Sequence, residues 1–456
     1  MEAYDMVMRH LNDEPSKPVL LLGPINSGKS ALLTKIMDQE ILRVIYLNCG
    51  LKDVSTPELM ATELRNQARK LPSMLGLQFI KLLTSQLGPV AKLVQSVATF
   101  FGFSIKSGDG FVVTGQLMTA FYDLFLPISS STNLAAVLDA YEHLLEKVPP
   151  GQQKPVIVVD EVNDLTRWKH KDVEKLKSLL NFLRRTCKEK ERAHIVLASA
   201  DFFMVSWLQS KGLDATQRRV EVLGDLTSDE AFVYVCGGKV RNRKGFEEDW
   251  SGLMAQSEET LALGMTPEEW KKVWSVCGGN MYLLKNCVAS ATQYNSWDEG
   301  VAQILSKPQM DVSKALKRPK SIHPPPDSTG PRIWEAKHYK AVLRLIAAHP
   351  YHAVRQEDAE DALRAVGIAE DVLADEVLLS MVEFNVLSLR PYSTMAHDIP
   401  REAFYKTEWG VEVKDSLVTM RSPAHLAAAL ILEKKFQNED EAERNRAEEG
   451  NRQAKR

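Results

Sequence analysis

Val19-Leu20-Leu21-Leu22-Gly23-Pro24-Ile25-Asn26-Ser27-Gly28-Lys29-Ser30 is an apolar strand that empties into the spacing Gly-x-x-x-x-Gly-Lys-Ser, and a helical pattern from Ala31 to Glu40 follows it. Strand, glycine-rich loop and helix in that order form a phosphate-binding loop. Gly23 and Gly28 let the chain wrap an anion, and the backbone N–H groups at the helix start then converge on its oxygens. The expected phosphate-binding set is Gly23, Pro24, Ile25, Asn26, Ser27, Gly28, Lys29, Ser30 and Ala31. Lys29 is placed to reach β- and γ-phosphates and so to act in catalysis, and Ser30 to put its hydroxyl on Mg2+.

Working outward, Arg43 to Leu47 is a short β-branched run that reads as a second strand, and Thr56 to Leu71 is helical in pattern. A hairpin is expected around Ser107-Gly108-Asp109-Gly110, and helix returns from Tyr122 to Lys147. Pro155 to Val159 is continuously apolar, as a strand buried on both faces of a parallel sheet should be, and it closes on Asp160-Glu161. Asp160 is the expected Mg2+ residue, acting through water, and Glu161 is placed to polarise the attacking water. His194 to Ser199 is a fourth strand that carries Ser199 toward the γ-phosphate. Val220 to Leu223 is a fifth, preceded by Arg218-Arg219, which is either a surface pair or a source of one guanidinium for the γ-phosphate. Because the acidic strand end lies far from the loop in sequence, the fold class expected is α/β, an additional-strand P-loop sheet.

The chain has 456 residues, room for about three domains. Its 44% hydrophobic and 26% charged residues are ordinary for a globular protein, and a net charge of −3 gives no overall nucleic-acid signature. Five cysteines without a Cys-x-x-Cys pair argue against a disulfide framework or a zinc site and favour a reducing compartment. Met1-Glu2-Ala3-Tyr4-Asp5 carries acids instead of the basic-then-apolar order of a signal peptide, so a cytoplasmic setting is expected, with nuclear or organellar ones open. The apolar stretch from Phe79 to Phe103 is interrupted by Lys81, Gln86, Pro89, Lys92 and Gln95 and reads as amphipathic helix, not as a membrane span.

From about Pro18 to Arg390 the sequence resembles the archaeal-type ATPase family, a branch of the STAND P-loop NTPases related to AAA+ proteins. The matching positions are Asp160-Glu161-Val162-Asn163, where Asn163 stands for the family's Gln; Ala198-Ser199-Ala200; and Arg218 or Arg219 before the fifth strand. The resemblance implies ATP with Mg2+, and the adenine preference rests on it. It also implies a small helical lid with Gly-Gly-x-Pro against the nucleoside. Here Cys277-Gly278-Gly279-Asn280-Met281 keeps the glycines and lacks the proline, so either Gly279 and Asn280 are cofactor contacts or Gly278-Gly279 is a plain helix C-cap glycine pair.

The expected plan is a P-loop core over 1–225 with a helical insertion at about 54–150, a lid over 226–305 and a Pro/Lys-rich linker over 306–333. A winged-helix-like domain follows over 334–436, ending in a helix from Pro423 to Phe436, and then a charged tail over 437–456. Between Lys337 and Arg390 there are six Lys/Arg against nine Asp/Glu. Affinity for a duplex comes mainly from neutralising phosphates, so this balance points to protein contact or self-contact and away from DNA. The first reading is an ATP-dependent molecular switch with slow hydrolysis, compatible with a homo-oligomer; a nucleotide-stabilised scaffold is a blander form of it. The rival is a DNA-associated AAA+ ATPase resembling a replication initiator, gripping DNA with the winged helix and Lys314, Lys317, Arg318 and Lys320.

Overall fold

The computed structural model describes residues 2–24, 27–39, 43–74, 133–146, 153–236, 239–241, 247–249, 264–323, 330–408 and 411–435. The chain divides into two compact units, Met1–Leu22 with Gly28–Glu221, and Gly23–Ser27 with Val222–Arg456.

The first unit is built on a five-stranded sheet of β1 (Val19–Leu22), β2 (Val44–Asn48), β3 (Val156–Asp160), β4 (His194–Ser199) and β5 (Arg219–Val222) in the order β2-β3-β4-β1-β5. β4 pairs in parallel with both β1 and β3, so one strand separates the phosphate-loop strand from the acidic one, as an additional-strand fold requires. Every residue of β1, β3 and β4 is buried, because helices cover both faces. The helices described in this unit are α1 (Glu2–Asn12), α2 (Lys29–Met37), α3 (Pro57–Met74), α4 (Leu134–Glu146), α5 (Val173–Arg184) and α6 (Met204–Ser210). On α5, Leu176, Leu179, Leu180 and Leu183 form the buried stripe that their spacing predicts. The expected hairpin near Ser107 and the Phe79 to Phe103 stretch lie outside the described residues. Among the described residues no helix is long and apolar enough to cross a membrane.

The second unit opens with α7 (Ser228–Cys236), whose start is fixed as expected by Thr227: its hydroxyl donates to Glu230 at 2.8 Å, and the Glu230 carboxylate accepts the Thr227 N–H. A small antiparallel pair, β6 (Lys239–Arg241) and β7 (Glu247–Asp249), follows. Three helices then stack, α8 (Pro267–Cys277), α9 (Met281–Tyr294) and α10 (Trp297–Lys317), around a core that includes Ala231, Val273, Val276, Leu284, Cys287 and Trp297.

The expected linker from residue 306 is corrected here, since α10 runs on to Lys317 with Pro308 inside it. Pro308, Val312 and Ala315 are buried at helical spacing, and that packing outweighs both the missing proline N–H and the Lys, Ser and Pro composition that made the stretch read as a linker.

α11 (Ala336–Ala348), β8 (Ala353–Arg355), α12 (Gln356–Ala365), α13 (Ala374–Glu383) and β9 (Leu387–Arg390) come next. A short turn, Arg401–Phe404, and the hairpin β10 (Tyr405–Glu408) and β11 (Val411–Lys414) lead to β12 (Leu417–Met420). β12 lies antiparallel between β8 and β9, which completes the helix-strand-helix-helix-strand-strand connectivity of a winged helix. The last described helix, α14 at residues 423–435, departs from the expected domain boundary. Its Ala424 and Ala427 belong to the core under α8 and α9, while Glu433 accepts from Arg344 of α11 at 2.7 Å. α14 therefore packs against the three-helix stack and also bonds to α11.

Candidate functional site

Parallel register brings the strand ends level: Leu22 of β1 lies opposite Ser199 of β4, and Asn48 of β2 opposite Asp160 of β3. The loop after β1 needs its glycines for stated reasons. A Cβ on Gly23 would fall 2.5 Å from the Leu223 carbonyl oxygen and 2.6 Å from Ser27 Oγ. Gly28 caps α2 at φ +92°, a conformation that a side chain disfavours. Among the described residues Ser27 Oγ is buried without a hydrogen-bond partner, and Ser27 N–H donates to the Pro24 carbonyl at 3.1 Å. Lys29 is only 5% exposed. Ser30 and Ala31 are exposed on the first turn of α2, and Ile25 and Asn26 lie outside the described residues.

Ser30 Oγ donates to Asp160 Oδ2 at 3.1 Å, joining the loop to the acidic strand end 130 residues later. Asp160 is fully buried, and each of its oxygens is engaged. Oδ2 also accepts from Tyr46 Oη at 2.7 Å and from Asn48 Nδ2 at 3.4 Å, and Oδ1 accepts from the Glu161 N–H at 3.0 Å. Burial first, and then the bond to Asp160, push the Tyr46 phenol up to about 12, so it is a hydrogen-bond donor at neutral pH. Tyr46 and Asn48 were not signalled by the sequence, where Tyr46 read as an ordinary strand residue and Asn48 as the residue that follows the strand. The signal available was their position: Asn48 is level with Asp160 on the neighbouring strand, and Tyr46 shares its face two residues earlier.

Glu161 adopts φ 53°, ψ 47°, a left-handed conformation that costs a non-glycine residue roughly 1–3 kcal/mol. The bend starts the 3₁₀ segment Val162–Arg167, and Gly50 makes room beside it, since a Cβ there would sit 3.2 Å from Glu161 Cγ. Burial, reinforced by the charges of Asp160 and Asp164 and opposed by Lys29, holds the Glu161 carboxyl above the ordinary glutamate range. Such a group is a stronger base than a solvated glutamate.

Ser199 enters the site through a neighbour. Its Oγ donates to Asn163 Oδ1 at 3.0 Å and accepts the Asp201 N–H at 2.9 Å, which fixes the Asn163 amide with its NH2 turned away from Ser199. The direct approach of Ser199 to a γ-phosphate is thereby corrected.

Four further expectations are corrected. Arg218 is buried and donates to the backbone carbonyls of Leu213 and Val205, the latter at 2.8 Å. Arg219 pairs with Glu221 at 2.6 Å, and its N–H donates to the carbonyl of Pro18, the residue before β1. That is the end of the sheet opposite the phosphate loop. Arg219 there neighbours His10, whose imidazole burial and the Arg219 charge together hold below its usual range. In the lid, Gly279 presses its Cα against the Leu226 backbone and accepts the Leu226 N–H at 3.0 Å. Asn280 is buried, caps α9 by accepting the Leu283 N–H and donates to Asp225 at 3.1 Å. Both residues are committed to the chain itself, and the neighbouring Gly278, at φ +53°, is the C-cap of α8, while Asn280 is the N-cap of α9.

The donor set fits a hard cation. Mg2+ keeps most of its waters, takes phosphate oxygens, and needs one or two protein oxygens, which Ser30 and Asp160 supply side by side.

A family model described as an ATPase domain predominantly from Archaea matches residues 2–232. An uncharacterised ATP-binding protein of Pyrococcus abyssi is 18% identical over 323 residues, covering 69% of this chain and 78% of that protein. The solved Walker-type ATPase of Pyrococcus abyssi superposes with a TM-score of 0.50 at 14% identity, covering 94% of each chain. Cdc6p from Pyrobaculum aerophilum gives a TM-score of 0.33 at 14% identity over 95% of this chain and 94% of its own.

Proposed function

The chain belongs to the family of ATPase domains found predominantly in Archaea, and from that premise we propose that it is a nucleotide-dependent molecular switch that binds ATP with Mg2+ at the Gly23–Ser30 loop and hydrolyses it slowly. The observation that carries this reading is the hydrogen bond from Ser30 to Asp160, set beside a buried Lys29 and a strained, basic Glu161. Lys29 would hold the β- and γ-phosphates, and Ser30 with Asp160 would hold Mg2+, which would supply charge neutralisation at the phosphate oxygens. Glu161 takes a proton from the attacking water, and the Asn163 amide, turned by Ser199, offers an N–H to position that water.

The winged helix acts in protein contact. Seven of the ten residues of α13, the helix that would enter a DNA groove, are buried, and Asp375 and Glu376 stand in its first turn. A helix so covered and so charged opposes duplex binding. The same domain grips the chain just after β5. Asp398 receives Arg390 through two hydrogen bonds of 2.6 and 2.9 Å, and a Cβ on Gly224 would fall 2.6 Å from Asp398 Oδ1.

Amide hydrogen exchange of the ATP-loaded Glu161→Gln chain against the ADP-loaded wild type tests the switch. Differing protection in residues 222–435 is expected, because a switch requires two states with different contacts. Identical exchange in the two states would leave an ATPase without switching.

A further inference from the structure

The oxygen of Asp160 that faces Ser30 has two more donors, and neither belongs to the phosphate loop. Tyr46 Oη lies 2.7 Å away and Asn48 Nδ2 3.4 Å away, and Asn48 also donates to the Tyr46 oxygen at 3.1 Å. Asn48 is itself oriented, since its Oδ1 accepts the Leu51 N–H at 2.9 Å. The chain of bonds therefore has one direction: Leu51 N–H fixes the Asn48 amide, and the amide N–H occupies a lone pair of the phenol. The phenol proton is left for Asp160.

From this geometry we infer that Tyr46, held by Asn48, is a positioning residue for the cation site: it fixes the carboxylate plane of Asp160 so that Oδ2 stands toward Ser30 and the metal before nucleotide arrives. The inference rests on the reading that Ser30 and Asp160 hold the cation. A buried carboxylate turns about its terminal torsion unless its oxygens are tied, and among the described residues Oδ1 has the backbone bond from Glu161. Tyr46 supplies the shortest bond to Oδ2 and comes from a different strand, so it holds that oxygen independently of the loop. Partners of this kind behind a metal ligand are worth about tenfold to a hundredfold in metal affinity.

The test measures how strongly metal and nucleotide support each other, a reciprocal coupling given by the ratio of the ATP dissociation constant in EDTA to that in Mg2+. A fluorescent ATP analogue is titrated into wild type, Tyr46→Phe, Asn48→Ala and Asp160→Asn, each shown by thermal melting to be folded. Tyr46→Phe should leave binding in EDTA unchanged and lower the coupling ratio about tenfold or more. Asn48→Ala should lower it less, because the phenol keeps its own bond. Asp160→Asn should lower the ratio at least as much as Tyr46→Phe. A coupling ratio in Tyr46→Phe equal to or above that of wild type, with Asp160→Asn impaired, overturns the role of Tyr46 and leaves the cation site standing. An unimpaired Asp160→Asn overturns both. A loss of binding in EDTA by Tyr46→Phe overturns the inference too, since the residue would then serve the loop and not the metal.

Discussion

Replacing Asp398 by Ala removes one half of a buried ion pair. Arg390 and Asp398 are 9% and 15% exposed in their side chains and are joined by two charge-assisted hydrogen bonds. Deleting one partner of such a pair leaves an uncompensated buried charge and costs about 3–5 kcal/mol. In a unit of this size each kcal/mol moves the melting temperature by about 2–4 °C, so Asp398→Ala should lower the melting transition of the second unit by roughly 6–20 °C. Differential scanning calorimetry reads this directly, and the double variant Arg390→Met/Asp398→Leu should recover most of the loss, because it removes both charges at once. The pH dependence has a defined sign. Burial works to raise the Asp398 carboxyl, but Arg390 and the backbone N–H bonds outweigh it and hold it below the ordinary range. The stabilisation is therefore fully present above the unfolded value of ~3.9 and is lost as pH falls through the depressed folded value. A drop of less than about 2 °C in Asp398→Ala, or a double variant no more stable than the single one, would refute the argument that this pair fastens the winged helix to the turn at Gly224.

Lys29→Ala should abolish triphosphate binding while the melting temperature stays close to wild type, as isothermal titration with ATP and a thermal scan will show. Arg219→Ala should hydrolyse ATP at the wild-type rate, because its guanidinium lies with Glu221 at the far end of the sheet; a fall toward the ~10³-fold of a lost arginine finger would reverse that placement. The hydrolysis rate should fall with acidification through a value above the ~4.3 of an ordinary glutamate, since Glu161 must be ionised to act and its carboxyl is raised; an acid limb at or below that value contradicts the assignment. The 456-residue chain should bind duplex DNA no more tightly than about 10⁻⁴–10⁻⁶ M at physiological salt and with a shallow salt slope, so tight and steeply salt-dependent binding would promote the replication-initiator reading.

The parts that the sequence carried openly were those in which one local rule acts alone. The loop from Gly23 to Ser30 needs two glycines and a cation in fixed order, an apolar run such as Val156–Asp160 has no other stable place than a covered sheet, and Thr227 with Glu230 caps a helix wherever it occurs. The misread parts depend on geometry that spacing does not encode. Arg218 and Arg219 sit beside a strand of the right sheet, but the strand's direction puts them at the wrong end of it, and only the bond from Arg219 to Pro18 reveals this. Residues 306–317 have the composition of a linker, yet three buried positions on one helical face override it. Gly279 and Asn280 match a ligand-contact motif by type, whereas close approach to Leu226 and the bond to Asp225 explain the same residues without a ligand. Tyr46 escaped notice because a half-buried tyrosine in a strand is ordinary until the register with β3 brings its hydroxyl to Asp160.

On the proposed mechanism, Glu161 activates water at a loop that binds ATP through other residues. Single-turnover hydrolysis of radiolabelled ATP by wild type and Glu161→Gln, with ATP affinity measured on the same preparations, tests it most directly. Affinity should be unchanged and the hydrolysis rate constant lower by ~10²-fold or more, because the amide keeps the shape of the carboxylate and loses its basicity. Wild-type hydrolysis by Glu161→Gln, with ATP still bound, would contradict the account.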